Sequence, residues 1–146
     1  MVSVFDVAAF IIDQLGPITA MKLQKLVYYC QAWSLVWDDT PLFEERIEAW
    51  SNGPVVPALF EFHKGQYIVD SIPNGDPEKL NKNQKETVEA VLVYYGKKSS
   101  RWLSDLTHME DPWKNTRAGI SNDERSNREI TLESMAEYYS SLSPDF

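Results

Sequence analysis

MKLQKLVYYCQAW (Met21–Trp33) and IEAWSNGPVVP (Ile47–Pro57) are the two stretches on which the fold of this chain turns. In the first, Leu23, Leu26, Val27, Cys30 and Trp33 recur at helical spacing, and Trp37 continues the stripe. Lys22, Lys25, Tyr29 and Ser34 fall mostly off it. Thr19 is placed to cap this helix, and Pro41 biases Thr40 away from helical geometry, so the helix is expected to end near Trp37. In the second stretch Ile47 and Ala49 alternate with Glu48 and Trp50, which suits a short strand. Asn52-Gly53-Pro54 signals a turn, and Pro54 or Pro57 suits the first turn of a following helix ending near Gly65.

On the N-terminal side, Ser3 and Asp6 form a capping signature for a helix to Leu15, stopped by Gly16-Pro17. On the C-terminal side, Tyr67–Ile72 alternates weakly as a second short strand. Asn81 with Gln84 suggests the cap of a helix running to Tyr95, and Ser99 or Ser100 caps another. A short helix is expected to start near Pro112, and Thr131 caps a last one carrying Leu132, Met135, Tyr139 and Leu142 on one face. Ile120–Glu129 is polar and expected to be an exposed loop, and Ser143–Phe146 is expected to fray. The expectation is a mainly α, compact single domain over residues 1–146, with about six helices and one or two short β-strands.

Composition agrees with that class. At 43% hydrophobic and 25% charged, the chain matches ordinary globular proteins and is unlike disordered ones. A formal charge of −8 repels phosphate backbones, which disfavours sequence-independent nucleic-acid binding and favours a basic partner. The single cysteine, Cys30, allows no intrachain disulfide and lies in an apolar helical register, as a buried, inert thiol would. No apolar run approaches bilayer length, and the first residues carry Asp6 and Asp13 without a basic leader. A cytoplasmic protein is expected.

Chemistry-bearing patterns are sparse. His63 and His108 lack a zinc-type partner set, and no phosphate-cradling glycine loop or nucleophile elbow occurs. His108 with Glu110 and Asp111 is a thin candidate for a hard cation. His108 near Ser104, Asp105 and Asp111 is the best candidate for a general base. The plainer alternative is that Thr107 and His108 end a helix and bond its carbonyls. Lys22 or Lys25 is expected to pair with a carboxylate while its stem covers apolar surface. No cofactor or metal is implied. Five tryptophans are many for so small a domain; Trp50 and Trp113 both flank turns, and at least one of them is expected to be partly exposed.

Three blocks carry a resemblance: KLQKLVYYCQAWSL (Lys22–Leu35), PLFEERIEAWSNGPVVPALFEFHKG (Pro41–Gly65) and LSDLTHMEDPWKNTR (Leu103–Arg117). In that order they resemble the Panacea domain of SocA-like antitoxins and of GepA-type phage-associated proteins. The resemblance implies a non-enzymatic antitoxin that neutralises a cognate toxin by direct contact. One branch of the family instead acts as an adaptor delivering its toxin to a ClpXP-type protease, and an uncharacterised enzyme using His108 is a further alternative. By position the motif residues are Lys22, Lys25, Tyr29, Trp50, Gly53, Pro54, His108, Asp111, Pro112 and Trp113. Trp50 with its turn is the first place to look for a binding surface.

Overall fold

One helix, α2 (Ala20–Trp37), forms the centre around which the rest of the chain is laid in the computed structural model, which describes residues 2–142. Its apolar stripe is buried as expected, but so is most of its remaining circumference: Gln24, Lys25, Tyr28, Tyr29, Gln31 and Ser34 are all buried. A helix enclosed on all sides must give its polar side chains internal partners, and here they bond the backbone of the loops around them. Gln31 accepts from the amides of Leu42 and Phe43 and donates to the Phe43 carbonyl. Ser34 donates to the Thr40 carbonyl. Gln24 accepts from the Val56 amide at 2.9 Å and donates to the Val56 carbonyl at 3.3 Å.

The helices around α2 begin where their caps indicate. Ser3 and Asp6 close a capping box on α1 (Val4–Leu15), and Asn81 with Gln84 does the same for α4 (Lys82–Tyr95). Thr19 caps α2, and Ser99 caps α5 (Ser100–Met109). Pro57 fills the first turn of α3 (Pro57–His63), as does Pro112 in α6 (Asp111–Thr116). Thr131 accepts from the Ser134 amide at the start of α7 (Leu132–Leu142). Helices α1, α4, α5 and α7 pack on α2. The described residues thus hold seven α-helices, and the class is the mainly helical one expected. Ser143–Phe146, expected to fray, lies outside them.

The strands are shorter and more numerous than expected. An antiparallel hairpin joins β2 (Ile47–Trp50) to β3 (Gly53–Val55), and β5 (Glu129–Ile130) pairs with the other edge of β2. Separately, β1 (Ile18–Thr19) pairs with β4 (Ile68–Val69). The hairpin corrects the expected position of the turn. Ser51 and Asn52 make it, whereas Gly53 and Pro54 already belong to β3. Two expected apolar faces are also partly solvent-facing: Trp37 is 49% exposed, Leu132 38% and Leu142 46%. Those three residues end their helices, where the curved core no longer reaches them.

Candidate functional site

The β2–β3 hairpin lies against the first turns of α2 and against α5. Gly53 has φ +118°, which L side chains rarely adopt, and the space its side chain would fill is occupied. A Cβ there would stand 2.6 Å from Lys25 Cε and 3.0 Å from Thr107 Oγ1. Lys25 uses that gap to reach the Pro54 carbonyl, 3.2 Å from its Nζ. The side chain is buried, and burial pulls its pKa down to about 7. Beside it, His63 is buried and accepts from Gln24 Nε2 at 2.9 Å. Burial, reinforced by the nearby Lys25 charge, lowers the His63 pKa, partly offset by a hydrogen bond between the ring and its own backbone.

These contacts correct the expected pairing of the two lysines. Lys25 bonds Pro54 and Lys22 donates to the Gly96 carbonyl at 2.7 Å; neither takes part in the ion pairs among the described residues. A carboxylate partner was expected because charge pairing is the commonest answer to a basic group on a helix. Two backbone carbonyls answer them here.

Trp50 occupies the outer side of the same hairpin, half-buried as expected, while Trp113 is buried. The Trp50 indole N–H donates to Glu48 at 2.9 Å, and its ring meets Phe60 edge-on at 4.9 Å. From behind, Trp113 Nε1 donates to the Trp50 carbonyl at 2.7 Å. Arg117 donates to the neighbouring Ala49 carbonyl at 2.9 Å, with its guanidinium over the Trp113 ring. The backbone under Trp50 is therefore clamped by two side chains from α6 and its C-terminal end. On either side of Trp50 and Phe60 lies a depression. One of about 580 Å³ extends to Arg125–Asn127. The other, about 230 Å³, has Gln24, Lys25 and His63 in its wall.

His108 stacks on Trp113 with ring centroids 4.1 Å apart. Burial, reinforced by the Lys25 and Arg117 charges, lowers its pKa despite the opposing pull of Asp105 and the Asn52 carbonyl. Its Nε2 is buried without a hydrogen-bond partner. Ser104, named beside it as part of the candidate base's surroundings, donates to the Asn52 carbonyl, and neither depression beside Trp50 reaches His108. Glu110, offered as a cation ligand, is buried elsewhere: Tyr29 and Tyr139 each donate to it at 2.7 Å, and Tyr139 also bonds Tyr28. Among the described residues no cluster of three His, Cys, Asp or Glu is placed to hold a metal ion. No helix among them is long and apolar enough to cross a membrane.

Of the motif residues, the structure thus gathers Lys25, Trp50, Gly53, Pro54, His108 and Trp113 around the hairpin. Pro112 is buried in the first turn of α6. Lys22 and Tyr29 point to other neighbours, and Asp111 is exposed at the start of α6. Sequence reasoning passed over Gln24, Phe60, His63 and Arg117 as site residues. All four lie inside the resembling blocks, which is the signal that could have found them; their partners, 32 residues away for Gln24, could not be read from spacing.

Comparison with known proteins agrees with the blocks. No solved structure matches the chain. A curated relative, Antitoxin SocA of Caulobacter vibrioides (strain NA1000 / CB15N), is 29% identical over 110 residues, covering 66% of this chain. The chain spans 58% of that relative's length. The family described as "Antitoxin SocA-like, Panacea domain" matches residues 23–114, from α2 through the hairpin to α6. The hairpin, most of the helix beneath it and Trp113 fall inside that match, and the chain belongs to this SocA-like Panacea family.

Proposed function

We propose that this chain is an antitoxin that neutralises a toxin protein by binding it directly, through the face around Trp50, in the cytoplasm and without catalysis. The observation that carries this reading is the state of Trp50: a half-buried indole on a backbone fixed by Trp113 and Arg117, with two depressions lined by it. A large aromatic held rigid before association loses little freedom on docking, which is the character of interface anchors. The name of the relative supports the toxin as the partner. The overall charge of −8 steers the approach of a toxin that is basic as a whole.

Co-expression with the product of the adjacent gene tests this. The wild type restores growth and copurifies with that product, whose cellular half-life stays unchanged. Trp50→Ala still folds, at a lower melting temperature because the Phe60 packing is lost, and binds about 30-fold more weakly, the loss of roughly 2 kcal/mol typical of an anchor. Growth rescue accompanied by disappearance of the toxin would replace inhibition with delivery to a protease. Full affinity in Trp50→Ala would move the binding face elsewhere.

A further inference from the structure

Where α4 gives way to α5, basic and aromatic side chains meet on the surface. From Ala90 to Ser104 the chain carries Lys97, Lys98 and Arg101 and no carboxylate, within a protein of charge −8. Lys22 reaches the same junction from α2 through the Gly96 carbonyl. The Lys98 ammonium lies 4.7 Å from the centre of the Trp102 ring and 5.8 Å from that of Tyr94. Two aromatic faces thus hold it in place without using its hydrogen-bond donors. Both rings are open to solvent, Trp102 at 38% and Tyr94 at 58% exposure. Lys97 and Lys98 take part in none of the ion pairs among the described residues. Arg101 meets Asp105 at 3.9 Å, with its side chain 92% exposed. It also lines a third depression, of about 440 Å³, together with the exposed Met21 and Tyr67. None of these aromatic and basic groups at the junction lines the depressions beside Trp50.

We propose that the α4–α5 junction is a second docking surface, separate from the Trp50 face, and that it receives an acidic segment of a protein partner. Carboxylates meet Lys97, Lys98 and Arg101, and an apolar side chain between them packs on Trp102 and Tyr94. Net charge governs long-range approach, whereas a contact a few ångströms across is governed by the groups that line it. Exposed lysines alone would add little; here one of them is already positioned beside two aromatic anchors. A nucleic acid fits less well. Its affinity comes from neutralising many phosphates along its length, and beyond this small patch the acidic molecule repels them. The surface stands whether or not the Trp50 face binds a toxin.

The test is selection of a random dodecapeptide display library on the purified full chain, followed by titration of the enriched peptides as synthetic copies. Enriched sequences are expected to place Asp and Glu around a Leu, Phe or Trp. Their affinity is expected to fall about tenfold in Trp102→Ala and in the double variant Lys97→Ala/Lys98→Ala, and severalfold in Arg101→Ala or as salt is raised. It is expected to stay unchanged in Trp50→Ala. Lys97 and Arg101 are exposed, so R101A and K97A keep the test valid should W102A fold poorly. Enrichment of basic or uncharged sequences overturns the proposal, as does binding indifferent to every substitution at the junction. A loss in Trp50→Ala equal to that in Trp102→Ala removes the second surface. A short oligothymidylate that binds through these residues where acidic peptides do not replaces the protein partner with a nucleic acid. Loss of the toxin complex in Trp50→Ala with the peptides still bound leaves both surfaces standing, and peptides that bind when the adjacent gene product does not leave this one alone.

Discussion

Helix α2 carries two buried charge sites four residues apart in sequence, and they are resolved in opposite ways. At Tyr29 the charge is an anion: Glu110 is enclosed, takes part in no ion pair among the described residues, and accepts hydroxyl hydrogen bonds from Tyr29 and Tyr139. Tyr95 stacks on Tyr29 and Trp33 bonds Tyr95, so the cluster is closed by aromatic rings. At Lys25 the charge is a cation, met by one backbone carbonyl and lying in the wall of an open depression. The difference lies in what each charge holds together. Glu110 ties α2, α7 and the α5–α6 junction together, while Lys25 ties α2 to the hairpin.

The strongest way to break this contrast is to remove the space Lys25 occupies. Gly53→Ala forces a side chain into a left-handed backbone and into contact with Lys25, and is expected to destabilise the fold by about 3 kcal/mol in urea titrations. At the closed end, Tyr139→Phe removes a donor to Glu110 and is expected to cost about 2 kcal/mol, since the carboxylate stays behind. Lys25→Met is expected to act in the other direction. It removes a desolvated charge at nearly constant volume, for a gain of about 1 kcal/mol at pH 6 after the lost Pro54 bond is discounted. Val93→Ser, on the exposed outer face of α4, is expected to change stability by less than about 0.5 kcal/mol and leave partner binding intact.

Acidity sharpens the same contrast. Burial raises the Glu110 pKa above its ordinary 4.5 in spite of the tyrosine hydrogen bonds. The unfolded chain therefore loses that proton first, and the stability associated with Glu110 falls as pH rises from 4.5 through the raised value. Burial lowers the Lys25 pKa from 10.5 to about 7, so between those values the unfolded chain holds a proton that the folded chain lacks. The stability associated with Lys25 therefore rises with pH across that window. Urea titrations over a pH series should show the first slope lost in Glu110→Gln and the second lost in Lys25→Met.

What could be read from the residues followed their range of action. Caps at Ser3, Thr19, Asn81, Ser99 and Thr131 act within three or four residues, and all five helix starts stood in the sequence. Strands β1 and β5 are two residues long, too short for any alternation to register, and β4 is a two-residue part of the weakly alternating Tyr67–Ile72; each exists because a distant segment supplies its partner. The burial of Gln24, Lys25 and Gln31 was illegible for a related reason. Helical periodicity assigns polar residues to the solvent side, and only the loops wrapped around α2 supply the carbonyls and amides that make their burial tolerable. Trp50 was singled out by its place next to a turn. Its support by Trp113 and Arg117 spans 63 and 68 residues and could not be inferred from spacing.

Arg117 has a role in how this surface could diversify. Its guanidinium holds the carbonyls of Ser121 and Glu124 as well as that of Ala49, so the polar loop after α6 is seated by main-chain atoms that every amino acid shares. Arg125, at the rim of the larger depression beside Trp50, is exposed and makes no hydrogen bond or ion pair among the described residues, so its side chain can change while that seat and the helical body stay as they are.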